Sequence, residues 1–542
     1  MGEFQVSQDF LAKEYRDSVR DVLTGQCGIK PFPYVKFDEF QPLEAVRNLQ
    51  KDLKTVEFLA KANDLHSLDQ TVDFAQLDGP PEHLQNLKRF RLFMKESFGS
   101  YLENVTGVQF SDEFTMTGSR YSYTHQLLPH DDQIVGRKYA FVYYLTEDWQ
   151  KDDGGQLELY NFDEQAMIPT TVEISLTPTF NQLLMFEVSK KSWHQVAEVL
   201  SKTKTRLSIN GWFHVIGGPK PTHPTFTDPL LKQIPISLDF DGEDAGCIAI
   251  NEKYCDEPTG EQFRPLGGCV LKTFFTEGSQ IELEILKELD ALTFNEVGPV
   301  HKRRFKALTD DDLTDHAAAK EGTALNLLLK AVKTHFMCFL LEKWTGAQLG
   351  EDDSPATSSA SSTAGDENPP DAKRAKLGTP ESTASDDSDK SGRELAESFK
   401  HVNLSYSIRK FAAGDYSTVD DQLAMINDPK AHDIILDVKI FFTHAWENDK
   451  EDDHEGPGGV LYYCLPEEVE PFMRYQPGNN EAVIAYREAN VMSFCKYLNN
   501  RASDKYFYVV DCSYYNGKVG TNDNPIRKGF DLGAAKAKAD KE

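Results

Sequence analysis

Between Thr115 and Val215 the chain breaks into short runs: KYAFVYYL at 138–145, GGQLELY at 154–160, NQLLMFEV at 181–188 and RLSINGWFHV at 206–215. Each is rich in apolar and aromatic residues and bounded by polar or Gly/Asp-containing turns, the pattern of short β-strands. That rhythm predicts an antiparallel double-sheet barrel with its core over about 115–216. The first hundred residues follow another period. EYRDSVRDVL, EAVRNLQKDLK and EHLQNLKRFRLFMKESF place apolar side chains at three- and four-residue spacing, so helices are expected on the outside of the barrel. A chain of 542 residues exceeds the roughly 250–300 that one hydrophobic core serves, so two or three domains are expected.

From Glu351 to about Arg393 there is almost no aliphatic residue longer than Ala. Such a stretch cannot bury enough apolar surface to offset its ordering entropy, and a disordered acidic linker is expected over about 350–395. Its one basic island, PDAKRAKL at 370–377, resembles a short nuclear-import signal, which gives nucleus and cytoplasm as the expected locations. Ahead of the linker, from about 272 to 349, IELEILKELDAL and ALNLLLKAVKTHFMCFLLEKW read as helices. The expected division is therefore 1–232 for a first, catalytic domain, 233–349 for the helical start of a C-terminal domain, and 396–542 for the remainder of that domain.

Composition narrows the function. A net charge of -29 repels phosphate backbones, so no direct nucleic-acid binding is expected and a basic partner suits the chain better. Mean hydropathy is -0.50, and no apolar run approaches the roughly 18 residues of a membrane helix, so no membrane association is expected. The opening MGEFQVSQDF lacks the basic-then-apolar layout of a secretory signal. Eight cysteines, at 27, 247, 255, 269, 338, 464, 495 and 512, form no CxxC pair and read as free thiols of a reducing compartment. Oligomeric state is left open by these features.

The candidate chemistry begins at His130 and Asp132 in LLPHDDQI. In an extended segment residues i and i+2 share a face, so one imidazole and one carboxylate can approach a single metal. His194, in SWHQVAEV just after a strand, supplies a third ligand. Two histidines and a carboxylate on one side of an iron leave positions open for co-substrate and dioxygen. Arg206, at the start of the following strand, offers a planar guanidinium that can grip a carboxylate, with Ser208 on the same face adding a hydroxyl. Each of these is weak alone, since His-x-Asp is a common tripeptide and a strand-end arginine is most simply a surface charge.

Together, His-x-Asp, a distal His and Arg-x-Ser resemble the signature of Fe(II)- and 2-oxoglutarate-dependent oxygenases built on the double-stranded β-helix. GGQLELY and FEVSKKSWHQVAEV are similar to segments of the prolyl hydroxylases that modify a small-subunit ribosomal protein at the decoding centre. The resemblance implies an α+β fold of two jelly-roll (double-stranded β-helix) domains with flanking helices, the second catalytically degenerate. It further implies that His130, Asp132 and His194 hold Fe(II), that 2-oxoglutarate is anchored by Arg206, Ser208 and Tyr144, and that L-ascorbate supports turnover. Tyr143 would face the other side. Decarboxylation of 2-oxoglutarate to succinate and carbon dioxide would drive hydroxylation of an unactivated C–H bond, at proline C3 by the resemblance, with effects on translation accuracy, termination and stress response. Nucleic-acid demethylases of the same superfamily carry a second arginine six residues after the first. Here that position is Trp212, which disfavours them.

After the linker the pattern recurs in the same order. FAAGDYSTVDDQL resembles YSYTHQLLPHDDQI, GGVLYYC echoes GGQLELY, and AVIAYREANVMSFCKYL echoes LLMFEVSKKSWHQV, which argues for a duplicated fold. In this copy Val419 falls at the place of His130, about Cys495 at that of His194, and Phe507 near that of Arg206, while Asp421 alone retains a ligand type. The expected role is scaffolding or substrate recognition. A chain whose first barrel only displays surfaces for ribosomal or translation factors is the contrasting expectation.

Overall fold

The computed structural model describes residues 4–77, 81–222, 228–239, 248–256, 267–313, 322–347, 349–350, 396–419, 435–444, 456–465, 470–487 and 491–516. The linker, its basic island and Asp421 lie outside the described residues.

The first sheet comprises β1 (Tyr34–Phe37), β2 (Leu59–Ala62), β3 (His66–Gln70), β4 (Phe114–Tyr121), β5 (Gln126–His130), β6 (Arg137–Tyr144), β7 (Leu157–Asp163), β8 (Ile168–Leu176), β9 (Leu183–Glu187), β10 (His194–Val196) and β11 (Arg206–His214). It runs β1-β9-β6-β11-β4-β3-β5-β10-β7-β8, with β2 paired to β3, and its recorded pairings are antiparallel. Period-two alternation in β6 sorts its side chains between two environments. Tyr139, Phe141 and Tyr143 join the cluster under the helices, while Ala140 and Tyr144 join the one inside the barrel. Those helices, Lys13–Leu23, Leu43–Leu53, Pro81–Leu92 and Gly99–Thr106, are the expected outer layer. Leu43–Leu53 buries Ala45, Val46, Leu49 and Leu53, a stripe at helical spacing. Phe40 and Phe90 each lie 5.3 Å from the Tyr143 ring, fastening helix layer to sheet.

The second sheet comprises β12 (Ile234–Pro235), β13 (Gly268–Lys272), β14 (Asn295–Val297), β15 (Arg303–Thr309), β16 (Val402–Ala412), β17 (Tyr416–Ser417), β18 (Ile435–Thr443), β19 (Leu461–Cys464), β20 (Met473–Tyr475), β21 (Glu481–Tyr486), β22 (Met492–Cys495) and β23 (Tyr506–Asn516). Its order, β13-β21-β18-β23-β16-β15-β17-β22-β19-β20, repeats the first sheet strand for strand. The stretch before the linker, read from sequence as helical, does hold helices at Ile281–Asp290, Ala324–Val332 and His335–Thr345. It also contributes β13 and β15, the equivalents of β1 and β3, to this sheet. Every residue of β18 is buried: Leu436, Val438, Ile440 and Phe442 pack under the helices, and the alternate side chains face the barrel interior.

Shared hydrogen bonds fix the residue correspondence. Ala197 N donates to Gln156 O as Lys496 N does to Val460 O, and Val199 N donates to His125 O as Leu498 N does to Asp415 O. Three residues before Ala197 and Lys496 stand His194 and Ser493, so the counterpart of His194 is Ser493, and Cys495 matches Val196. The same register moves the counterpart of His130 off Val419, which matches Pro129. Phe507 does occupy the place of Arg206. A Cβ on Gly155 would meet Arg206 Cδ at 3.0 Å and Val199 Cγ2 at 3.1 Å, and one on Gly459 would meet Phe507 Cε1 at 3.2 Å and Leu498 Cδ1 at 3.1 Å.

The barrels touch where Glu198, just after β10, accepts hydrogen bonds from Asn500 N at 2.7 Å and Tyr497 Oη at 3.2 Å. Glu198 and Tyr497 are themselves counterparts, so the contact sits at a pseudo-twofold relation between the repeats. Burial pushes the Glu198 carboxyl up to about 7, against the pull of those two hydrogen bonds. A carboxyl raised in the folded state favours folding fully below its unfolded value of 4.5, and that contribution is lost as pH rises through about 7. Glu198→Gln is therefore expected to be more stable than the wild type by about 2 kcal/mol at pH 8 and not at pH 4.5. Urea unfolding of both proteins at the two pH values measures this, and a pH-independent difference would contradict it.

Candidate functional site

β5 ends at His130 and β10 begins at His194, and the two residues are paired directly opposite each other. Their ring centroids are 4.2 Å apart. His130 Nδ1 lies 2.8 Å from Leu128 O and His194 Nδ1 lies 2.7 Å from Ser192 O. A carbonyl can only accept, so each Nδ1 donates to it and each Nε2 is left facing inward, the atom through which a neutral ring binds a metal. Both Nε2 atoms face Asp132, at 3.8 Å and 3.4 Å from its two carboxylate oxygens. One ligand atom from each of the three residues lies within 4.8 Å of the others, the one such group among the described residues. Two imidazole nitrogens and a carboxylate converging on one point suit a divalent transition metal.

Asp132 reaches this position by a route that strand alternation does not supply. β5 stops at His130, and Asp132 adopts the left-handed region with φ 63°. Asp tolerates that conformation better than most residues, and the turn swings its carboxylate back beside His130. Arg137 holds it there, donating to Asp132 O at 3.3 Å and approaching Oδ1 at 3.5 Å while its guanidinium lies 3.7 Å over the Trp212 ring. The Ser192 hydroxyl donates to Asp131 O at 3.0 Å and ties together the two loops that carry the ligands. Burial lowers His130 to about 4, helped by the charge of His194. Burial alone would raise Asp132, but the hydrogen bond with His194 and the positive charges of His194, His130 and Arg137 bring it well below the usual carboxylate range. The carboxylate is thus ionised and ready for a metal.

These residues open on a cavity of about 570 Å³ that runs between β3, β5, β6 and β11. Arg206 and Tyr121, opposite each other on β11 and β4, form part of its wall. Arg206 is 1% exposed and makes no ion pair among the described residues. Its Nε and NH2, and the nearby Tyr144 Oη, lack hydrogen-bond partners, while NH1 lies 3.4 Å from Ser208 Oγ. Tyr121 and Tyr144 place their rings 4.8 Å and 5.2 Å from the guanidinium. A buried guanidinium without a counter-charge is costly, and a ligand carboxylate would remove that cost. Tyr143 points to the opposite face and donates to Asn181 Oδ1 at 2.7 Å. Tyr121, Arg137 and the platform role of Trp212 were not read from sequence. Only the strand pairing brings Tyr121 to Arg206, and no spacing signal announces it.

Residues 116–214 match the family model described as the 2OG-Fe(II) oxygenase superfamily, and residues 276–523 match that of the oxoglutarate and iron-dependent oxygenase degradation C-terminal domain. The two together cover more than half of the chain. This chain belongs to the 2-oxoglutarate- and Fe(II)-dependent oxygenases. It is 27% identical over 520 residues to Prolyl 3-hydroxylase OGFOD1 of Xenopus laevis, covering 93% of this chain and 92% of that one. It is 28% identical over 316 residues, 56% of each chain, to Prolyl 3-hydroxylase sudestada1 of Drosophila melanogaster. Among solved structures it is similar to a Pseudomonas putida prolyl-4-hydroxylase, at 19% identity over 37% of this chain and 98% of that one, with a TM-score of 0.29. The oxygenase uses Fe(II) and 2-oxoglutarate, with ascorbate as the reductant typical of its class.

Two substitutions separate the clamp from its support. Arg206→Gln removes the buried guanidinium that would receive a co-substrate carboxylate and is expected to raise the KM for 2-oxoglutarate by about 100-fold, the value of a charge-assisted pair. Tyr121→Leu keeps the charge but removes an aromatic face, and an increase of about fivefold is expected. Succinate release at varied 2-oxoglutarate concentration measures both. Equal effects would show that Arg206 does not carry the binding.

Proposed function

We propose that this chain is a prolyl 3-hydroxylase that modifies a small-subunit ribosomal protein at the decoding centre. The observation that carries this reading is the conjunction, in one cavity, of the His130, Asp132, His194 group with a buried, carboxylate-seeking Arg206. Similarity to Prolyl 3-hydroxylase OGFOD1 over 93% of the chain supports the choice of proline. In this reading the three ligand residues hold the iron, and Arg206, with Tyr144 and Ser208 beside it, anchors the far carboxylate of 2-oxoglutarate. Bound iron, with 2-oxoglutarate and dioxygen, supplies the oxidising power that replaces a C–H by a C–OH bond, with succinate and carbon dioxide as co-products. The protein positions the reactants: the carbonyls of Leu128 and Ser192 fix both imidazole tautomers, and Arg137 keeps the Asp132 carboxylate turned toward them. Apolar walls from Leu157, Phe186 and Val196 limit water around the reacting centre.

A basic ribosomal protein suits a chain of net charge -29. Asp64 and Asp131 line a second cleft that adjoins His130 and is walled on its far side by His301, Lys302 and Thr418 of the C-terminal repeat. The second barrel is the degenerate partner in this reading, with Ser493 and Phe507 where the first has His194 and Arg206. Action in nucleus and cytoplasm, and an influence on translation accuracy, termination and stress response, follow from a ribosomal target.

Mass spectrometry of the decoding-centre ribosomal peptide after incubation with Fe(II), 2-oxoglutarate and ascorbate tests the proposal. One added oxygen on proline is expected with the wild type and none with His130→Ala/Asp132→Ala. An unmodified peptide alongside continued 2-oxoglutarate turnover would redirect the activity to another protein substrate. Absence of both would favour a non-catalytic module that binds the ribosome or a translation factor.

A further inference from the structure

The hairpin of β2 and β3 stands off the main path of the first sheet, where β2 is paired to β3. Alternation within it sets Lys61, His66, Leu68 and Gln70 on one face, with Lys61 directly opposite Leu68. All four line the cavity of about 570 Å³ that holds the metal-ligand group. Asp69, the one carboxylate of these two strands, lies on the other face and is paired with Arg120 at 2.9 Å. The hairpin thus turns an ammonium toward the site and its own carboxylate away from it.

Lys61, Arg137 and Arg206 are the lysine and arginine side chains in the cavity wall, and two of them already have tasks. Arg206 awaits a co-substrate carboxylate, and Arg137 approaches Asp132 Oδ1 at 3.5 Å while lying over Trp212. Lys61 is half-buried and makes no ion pair among the described residues; its hydrogen bond runs to the neutral Gln70 Oε1 at 3.3 Å. The carboxylates of the wall are engaged elsewhere. Asp73 accepts from the backbone of Ala75 and Met116, Asp131 from Gln133, and Asp132 faces the two histidines. Burial, and after it the charge of Arg137, lower the pKa of the Lys61 ammonium, so the chain keeps this charge at a cost. An uncharged side chain of the same length would fill the space without that cost.

We propose, resting on the prolyl hydroxylase reading above, that Lys61 is a substrate-binding residue whose ammonium donates to a main-chain carbonyl of the peptide beside the target proline. Proline has a carbonyl but no N–H, so a segment centred on it brings more acceptors than donors into the cavity. A carbonyl taken out of water without a donor costs about 1–3 kcal/mol. Lysine offers three N–H donors and no acceptor, which suits that need. The charge also sorts substrates. A lysine or arginine adjoining the proline would meet both Lys61 and Arg137, so even in a basic target the residues next to the proline are uncharged.

The test uses the full chain with Fe(II), ascorbate and the decoding-centre peptide, and reads the KM for peptide and for 2-oxoglutarate separately. Lys61→Met is expected to raise the KM for peptide about tenfold, the value of a hydrogen bond from a charged donor, and to leave that for 2-oxoglutarate unchanged. Lys61→Arg keeps a charged donor and should stay within about threefold of the wild type. A peptide with lysine placed next to the proline should be a poor substrate for the wild type and a better one for Lys61→Met, a gain that damage to the fold cannot produce. Equal use of the two peptides by the wild type, an unchanged peptide KM in Lys61→Met, or an equal rise in both constants overturns the assignment of Lys61 and leaves the prolyl reading standing. Absence of hydroxylation by the wild type overturns that reading and the assignment with it.

Discussion

The antiparallel register of β5 and β10 is the constraint on which the first barrel's chemistry depends. It sets His130 opposite His194, and the carbonyls two residues before each histidine then hold Nδ1 and turn Nε2 inward. A slip of one residue would send both imidazoles to the other face of the strands. The register is held from outside as well: β10 is clasped between β5 and β7, and the turn before it is bonded to Asp131 O through Ser192. Only Asp132 escapes strand geometry. Its left-handed backbone and its guanidinium partner, steadied on Trp212, are the local devices that complete the group.

The second sheet keeps the strand order and the paired glycines but not the interior. Gly155 and Gly459 both have positive φ, and each leaves no room for a side chain beside a residue in the opening of the last strand. In one barrel that residue is Arg206, in the other Phe507. The topology therefore tolerates either a buried cation or an aromatic stack at the same point, because the clusters beneath the helices, not the interior, carry most of the apolar burial. Interiors of this kind are open to chemical revision without loss of the fold, which is how two repeats with one strand order come to hold different charges.

Much of this was legible in the sequence. The strand runs from KYAFVYYL to RLSINGWFHV, the outer helices and the duplication all carry strong periodicity. His130, Asp132, His194 and Arg206 could be chosen because few residue types serve a metal or a carboxylate. What escaped was short or non-local. β2 and β3 read LAKA and HSLDQ, too polar and brief to stand out, and β15 lies inside a stretch dominated by helical periodicity. The counterparts of His130 and His194 were misplaced by one and two residues, because motif matching lacks the hydrogen bonds that tie Ala197 to Gln156 and Lys496 to Val460.

Tyr121 shows the same limit at the level of a single side chain. Its ring meets Arg206 only through the β4 and β11 pairing, across a sequence separation that no local pattern spans. The ion pairs of the second barrel are of this kind too, since Arg409, Lys439 and Asp511 come from three different strands and each would read alone as a solvent-facing charge. Alternation within β18 sends Asp437, Lys439 and Phe441 inward together, against a background of Leu436, Val438, Ile440 and Phe442 on the helix side. Charged residues on the inner face of a strand buried on both sides are expensive. They persist where something balances them, as Asp511 does for Lys439 and Asp437 for Arg487.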